Sequence, residues 1–210
     1  MTTSEPRFEV LDRQVAFEGF FKIVRYRLRH RLFAGGMSAE LVRELFERGD
    51  AAVVLPYDPA RQEVVLVEQF RVGAITQPDD PWLLEPVAGI LEPGETASAV
   101  ARREAEEEAG LELRDLVPIG SYYPSPGGSD ELCHAFVARV DARGAGGLFG
   151  LAHDHEDVKA HVVPLGTALG WLGDGRLRTA SALITLQWLA LHRGELEARW
   201  GSGAAAAGRP

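Results

Sequence analysis

Cysteine is almost absent from this chain of 210 residues: a single one, Cys133, leaves no intramolecular disulfide and permits a reducing compartment. Long apolar runs are missing too. No stretch approaches the ~18 residues of a membrane-spanning helix, and the opening MTTSEPRFEV lacks the basic-then-apolar order of a secretory leader. The expectation is a soluble, cytoplasmic protein. Basic residues are in the minority, 22 against 31 acidic ones, for a net charge of −9, which argues against non-specific nucleic-acid binding. There is no internal repeat. What is present is a 46% apolar content, ample for the core of one domain or one domain with a small extension.

Chemistry concentrates between Gly89 and Leu111, GILEPGETASAVARREAEEEAGL. A loop with Gly89, Pro93 and Gly94 leads to Thr96, a residue type suited to cap a helix, and strong helix formers follow until Gly110. Glu104, Glu106, Glu107 and Glu108 crowd the last two turns, where the helix dipole disfavours negative charge. Glu104 and Glu108 share a face, with Glu107 beside Glu104, so these charges repel unless something cationic sits among them. A solvated acidic face relieved by Arg102 and Arg103 is the ordinary explanation of such a run. The C-terminal placement and the glycine-rich entry favour another: oxygen ligands for a hard divalent cation, Mg2+ above all, shared with substrate phosphates.

The rest of the chain predicts a mixed sheet flanked by helices. Two strands around Gly19 fit residues 7–33, the most basic region, with Arg25, Arg27, Arg29, His30 and Arg31. Residues 38–48 are ambiguous: Ser38 suits a helix cap, and Leu41, Val42 and Leu45 suit a helical stripe. Strands are expected at Ala51–Pro56, Glu63–Phe70, Trp82–Ala88, Val117–Tyr123, Glu131–Val140 and Val158–Pro164. A short helix is expected over Leu165–Leu172. Thr179 should cap a long helix to about Trp200, and the low-complexity tail, residues 201–210, should be disordered.

Gly89 to Leu111 resembles the signature of the Nudix hydrolases, G-x5-E-x7-R-E-U-x-E-E-x-G-U with U apolar. Gly89, Glu95, Arg103, Glu104, Glu107, Glu108, Gly110 and Leu111 fill it, and Ala105 takes an apolar slot. The resemblance extends over about residues 8–200 and is greatest to the ADP-ribose branch, through GFF at 19–21, EQFR at 68–71 and LQWLALH at 186–192. It implies an α/β/α Nudix sandwich with a mixed sheet (49–200) and an N-terminal antiparallel sheet (1–48), exchanged in a homodimer. Residues 38–48 would then be a strand. It also implies Mg2+, with Mn2+ possible, on Glu104, Glu107 and Glu108 and the carbonyl of Ala88. Gly89, Glu95, Arg103 and Gly110 would be structural. An activated water would attack phosphorus in line, with no covalent nucleophile, releasing AMP and ribose 5-phosphate from ADP-ribose.

Two further segments take roles from the resemblance. In 152–163, AHDHEDVKAHVV, the clustered His and carboxylates could be a transition-metal site or a solvated acidic loop. The family instead places a metal ligand at Glu156 and a general base at Asp154. Asp is shorter than the usual Glu there, so Glu156 or His155 remain alternatives for the base. Loop Ser125–Glu131 alone is a tight turn, but Pro126 matches a mark of ADP-ribose hydrolases and would turn Ser125 and Glu131 toward the nucleoside. Phe20 would stack on adenine, with Phe21 as alternative, and Arg43 and Arg71 would make polar contacts. Cys133 reads as packing. Rival functions are a hydrolase of another nucleoside diphosphate sugar such as GDP-mannose, a non-catalytic nucleotide sensor, and an isomerase. The complete set of carboxylates disfavours the sensor, and the lone Cys133 disfavours the isomerase.

Overall fold

Strands β1 (Phe8–Glu18), β2 (Lys22–His30) and β3 (Leu41–Glu47) pair antiparallel, in that order, as a three-stranded sheet. Residues directly opposed across a ladder share a face. Val10, Leu28 and Leu41 are therefore aligned with Val15, Val24 and Leu45 on one side, and Gln14, Arg25 and Glu44 with Asp12 and Arg27 on the other. The register of β1 slips between Val10 and Asp12 and again between Val15 and Phe17. Without the first bulge, Val15 would fall on the charged face. Residues 38–48 contain β3 and no helix: the apolar spacing fits both periods, and pairing with β2 decides between them.

The computed structural model describes residues 6–77, 80–150 and 156–204. Two units emerge, residues 1–50 with 123–132, and residues 51–122 with 133–210. The loop between residues 123 and 132 thus joins the three-stranded sheet. The Phe46 N–H donates to the Gly128 carbonyl at 2.8 Å, and the Asp130 N–H donates to the Phe46 carbonyl at 3.3 Å.

The second unit is an α/β/α sandwich on a mixed sheet. Its strands are β4 (Ala51–Asp58), β5 (Glu63–Phe70), β6 (Trp82–Glu85), β7 (Val87–Ile90), β8 (Leu116–Tyr122), β9 (Cys133–Arg139), β10 (Gly147–Phe149) and β11 (Val158–Pro164). The sheet order is β10-β11-β5-β4-β9-β8, and the β4–β9 pair is parallel. Helices α1 (Ala97–Ala109), α2 (Leu165–Asp174) and α3 (Ala180–Ala204) cover it. Alternation along the strands sorts the core. Ala52, Val54, Val65 and Val67 cluster with Val100, Ala101 and Ala105 of α1. Leu55, Tyr57, Val64 and Leu66 cluster with Leu165 and Ala168 of α2 and Leu186 and Leu189 of α3. Covered on both faces, β4 is buried along its whole length, so its sequence is a continuous apolar run.

One departure from the expected strands positions the site. Strands β4 and β5 pair only at Tyr57–Val64 and Asp58–Glu63, then splay apart. Into the gap go β6, paired to β5, and β7, paired to β4. The single strand expected over Trp82–Ala88 is therefore two, parted at Pro86, which has no N–H to give a ladder. The chain crosses the splay there and delivers Ala88 and Gly89 to α1. β10, within a Gly/Ala-rich stretch, was not foreseen. Thr179 Oγ1 accepts the Ala182 N–H at 3.4 Å at the start of α3, which continues through Ala204, four residues into the expected tail. Among the described residues no helix is long and apolar enough to cross a membrane.

Candidate active site

Helix α1 is fixed at both ends by its own sequence. Thr96 Oγ1 accepts the Ala99 N–H at 3.3 Å. At the other end Gly110 takes φ 62°, while the Gly110 and Leu111 N–H groups donate back to the Glu106 and Ala105 carbonyls at 3.0 and 2.9 Å. Between these caps, the helical period turns Glu108 inward beside Ala105 and leaves Glu104 and Glu107 half-buried. Glu108 is only 4% exposed. One carboxylate oxygen accepts the backbone N–H of Ala88 at 3.2 Å, and the other the side-chain amide of Gln69 at 3.4 Å. Burial pushes Glu108 up to about 8, the nearby charges of Glu104 and Glu156 add to that, and the Ala88 N–H and the Arg71 charge oppose it. Burial also raises Glu104, against the pull of Arg103.

Arg103 is the cation among these carboxylates. It reaches Glu104 at 2.7 Å, Glu107 at 3.1 Å and, across the entry loop, Glu95 at 3.4 Å. Glu95 in turn accepts the Glu92 N–H at 3.0 Å, which with Arg103 holds its carboxyl below the usual range. Gly89 makes room for this cluster: a Cβ there would lie 1.9 Å from Glu104 Oε1. Arg71 forms a 2.5 Å ion pair with Glu85 of β6.

The donor set fits a hard divalent cation. Glu108 is a carboxylate raised chiefly by burial and further by the charges of Glu104 and Glu156, and a bound cation would stabilise its charged form. Among the described residues no three acidic, imidazole or thiol groups are gathered closely enough to enclose an ion, and Glu104 and Glu107 are engaged with Arg103. Glu104 lies four residues before Glu108 on the same helix and so shares its face. Glu156 stands close enough for its charge to be felt by both Glu104 and Glu108. Asp154 and His155 lie outside the described residues. At Ala88, the backbone N–H is the group that meets Glu108.

Phe20, Arg43, Ser125 and Glu131 belong to the first unit. Phe20 is 89% exposed, whereas Phe21 is half-buried edge-on to Phe46, so of the two rings Phe20 offers the free face. Arg43 is exposed on β3 and donates to the Val42 carbonyl at 2.8 Å. The Ser125 carbonyl accepts from Gly128 and Ser129, closing a turn. Glu131 pairs with Arg48 at 3.4 Å. Three residues with contacts in these clusters, Gln69, Glu85 and Arg48, were not singled out from sequence. Gln69 could have been found, since strand alternation puts it on the same face as Val65 and Val67.

The model of the NUDIX domain matches residues 47–183. The chain belongs to the Nudix family. A Nudix relative named ADP-ribose pyrophosphatase, from Escherichia coli strain K12, is 49% identical over 192 residues, covering 91% of this chain and 92% of the relative. GDP-mannose pyrophosphatase of Klebsiella pneumoniae is 34% identical over 185 residues, covering 86% and 90%. A solved structure described as an ADP compounds hydrolase superposes with a TM-score of 0.69 at 19% identity, over 92% of this chain and 98% of that one, a likeness of fold. Nudix ADP-ribose pyrophosphatases depend on a divalent metal.

Proposed function

We propose that this chain hydrolyses the diphosphate of ADP-ribose to AMP and ribose 5-phosphate, using Mg2+, with Mn2+ as a substitute. The observation that carries the chemistry is Glu108, a buried carboxylate held by Ala88 of β7 and Gln69 of β5 and close to further acidic groups. The similarity to the E. coli ADP-ribose pyrophosphatase supports the substrate. Glu108, Glu104, Glu107 and Glu156, with the Ala88 carbonyl, would hold the metal. When bound, the cation supplies charge neutralisation of the diphosphate and activation of water. Gln69 and the Ala88 N–H orient Glu108, and Gly89 lets Glu104 lie against the strand. Arg71 brings positive charge suited to phosphate oxygens. Asp154 takes the proton from the attacking water, a role the family resemblance alone assigns. Phe20, Arg43, Ser125 and Glu131 read the nucleoside.

Two copies of the chain meet through their N-terminal sheets. Phe8 and Val10 are 64 and 47% exposed and share one face of the sheet, a solvated apolar surface that a second copy would cover. Light scattering of the purified protein should give twice the chain mass of 22.8 kDa.

The experiment that tests the activity is a substrate panel with Mg2+, comprising ADP-ribose, GDP-mannose, UDP-glucose, NADH and diadenosine polyphosphates, with products identified. Preference for ADP-ribose with release of AMP is expected. Preference for GDP-mannose would move the reading to the other hydrolase branch, and binding of ADP-ribose without cleavage would make the protein a sensor.

A further inference from the structure

Arg71 directly follows β5, and Glu85 ends β6. The Arg71 N–H donates to the Pro81 carbonyl at 2.9 Å and its carbonyl accepts the Ala74 N–H at 2.9 Å, which fixes the main chain there. Its backbone is still extended, with φ −121° and ψ 108°, so the alternation of β5 carries Arg71 to the same side as Val67 and Gln69. Glu85 is opposed to Val67 in the β5–β6 ladder and lies on that side too. It is the side on which Val67 packs with α1 and Gln69 donates to Glu108 at 3.4 Å. The charge of Arg71 is felt by Glu108, whose oxygens are taken by the Ala88 N–H and by Gln69. Arg71 thus stands near two carboxylates, and it is Glu85 that holds it, through Nε at 2.5 Å. The Glu85 side chain is only 14% exposed and that of Arg71 41%. A guanidinium anchored at Nε on a partly buried carboxylate presents its two terminal nitrogens as a fork, the geometry that fits phosphate oxygens.

We infer that Glu85 is a positioning residue, holding Arg71 toward the substrate diphosphate and keeping its guanidinium off the carboxylates of α1. The inference rests on the reading that those carboxylates hold the cation and that Arg71 meets the diphosphate. An arginine side chain is long and always charged, so once released it settles on another anion. With Glu85 neutral, that anion is Glu108, where a guanidinium and a divalent cation exclude one another. Loss of the Glu85 charge should therefore weaken cation binding as well as substrate binding. Neither loss should appear when Arg71 is already gone.

The test titrates Mg2+ calorimetrically into the full-length protein without substrate, and measures KM for ADP-ribose at saturating Mg2+. It compares wild type with Glu85→Gln, Arg71→Gln and the two changes together. Glu85→Gln is expected to weaken Mg2+ binding roughly tenfold, the lower end for changes beside a ligand, and to raise KM roughly tenfold, the size of a lost charged hydrogen bond. Removing Arg71 as well should return Mg2+ affinity to at least the wild-type level, because Arg71 then no longer competes, while KM stays where Arg71→Gln alone puts it. Glu85→Asp keeps the charge on a shorter stem and should lose only a few-fold in each quantity. Alone and with Arg71→Gln, it serves as the test where Glu85→Gln does not fold. If Mg2+ affinity or KM is unchanged in Glu85→Gln, or if the Mg2+ loss persists without Arg71, Glu85 does not act through Arg71 and the inference is overturned by itself. If Arg71→Gln leaves KM unchanged, or Glu108→Gln leaves Mg2+ binding unchanged, the underlying reading fails and takes the inference with it.

Discussion

The acidic site and the unit proposed to read the nucleoside are built over very different stretches of chain. In the acidic site the decisive pairs are neighbours on one helix: Arg103 bonds to Glu104 and, at i+4, to Glu107. In the other unit Arg48 bonds to Asp130 across 82 positions, and Phe46 bonds to Gly128. A helix converts spacing in sequence into direction in space, so a local motif carries its own geometry. A strand and a distant loop carry only periodicity. Their partners are set by register and by where the chain returns. The first region should thus govern the reaction itself and the second its choice of substrate, and substitutions in each test that division.

The largest effect is expected from Glu108→Gln, a loss of at least ~100-fold in kcat, because an ionisable metal ligand is replaced; a loss of only a few-fold would remove Glu108 from the ligand set. The same variant has a second readout. In metal-free wild type the folded protein keeps the Glu108 proton between about 4.5 and about 8, where the unfolded chain has lost it. Stability therefore falls as pH rises through that window and levels off above it. Cation binding must expel that proton, so affinity should rise with pH over the same range. Denaturation in EDTA and calorimetric titration with Mg2+ would show both trends, and Glu108→Gln should flatten the first.

Next in size is Asp154→Asn, with a loss in the ~10- to 10,000-fold range of general-base catalysis; unchanged turnover would pass the role to Glu156 or His155. Gly89→Ala should follow. Its Cβ would displace Glu104, lowering cation affinity ~10- to 100-fold as changes beside a ligand do. Retained affinity, measured by titration, would show that Glu104 is not needed where it lies. The smallest effect is expected from Phe20→Ala, a rise in KM for ADP-ribose of roughly tenfold, a typical loss for one stacked base, with kcat unaltered. If kcat fell instead, the division between reacting and reading regions would break down.

Much of the fold was legible because its signals are local. Continuous β-branched runs marked β4, β5 and β11, and Thr96 and Gly110 marked the ends of α1. What escaped were features that depend on partners. The helix-like spacing of Leu41, Val42 and Leu45 gave no hint of β2, and only the family resemblance pointed to the strand that pairing with β2 makes there. Pro86 did not announce that the strands before and after it pair with different neighbours.

By itself, then, the sequence determined the chemistry: the spacing of Glu104, Glu107 and Glu108 along a capped helix commits them to one surface whatever packs around it. Only the tertiary structure decided that Glu108 is the buried member, that Gln69 and Ala88 hold it, that Arg103 occupies Glu104 and Glu107, and that Arg48 pairs with Glu131. Burial and long-range pairing are properties of the assembled sheet, where hydrophobic exclusion of water and closure of the hydrogen-bond ladders act on residues that no local period connects.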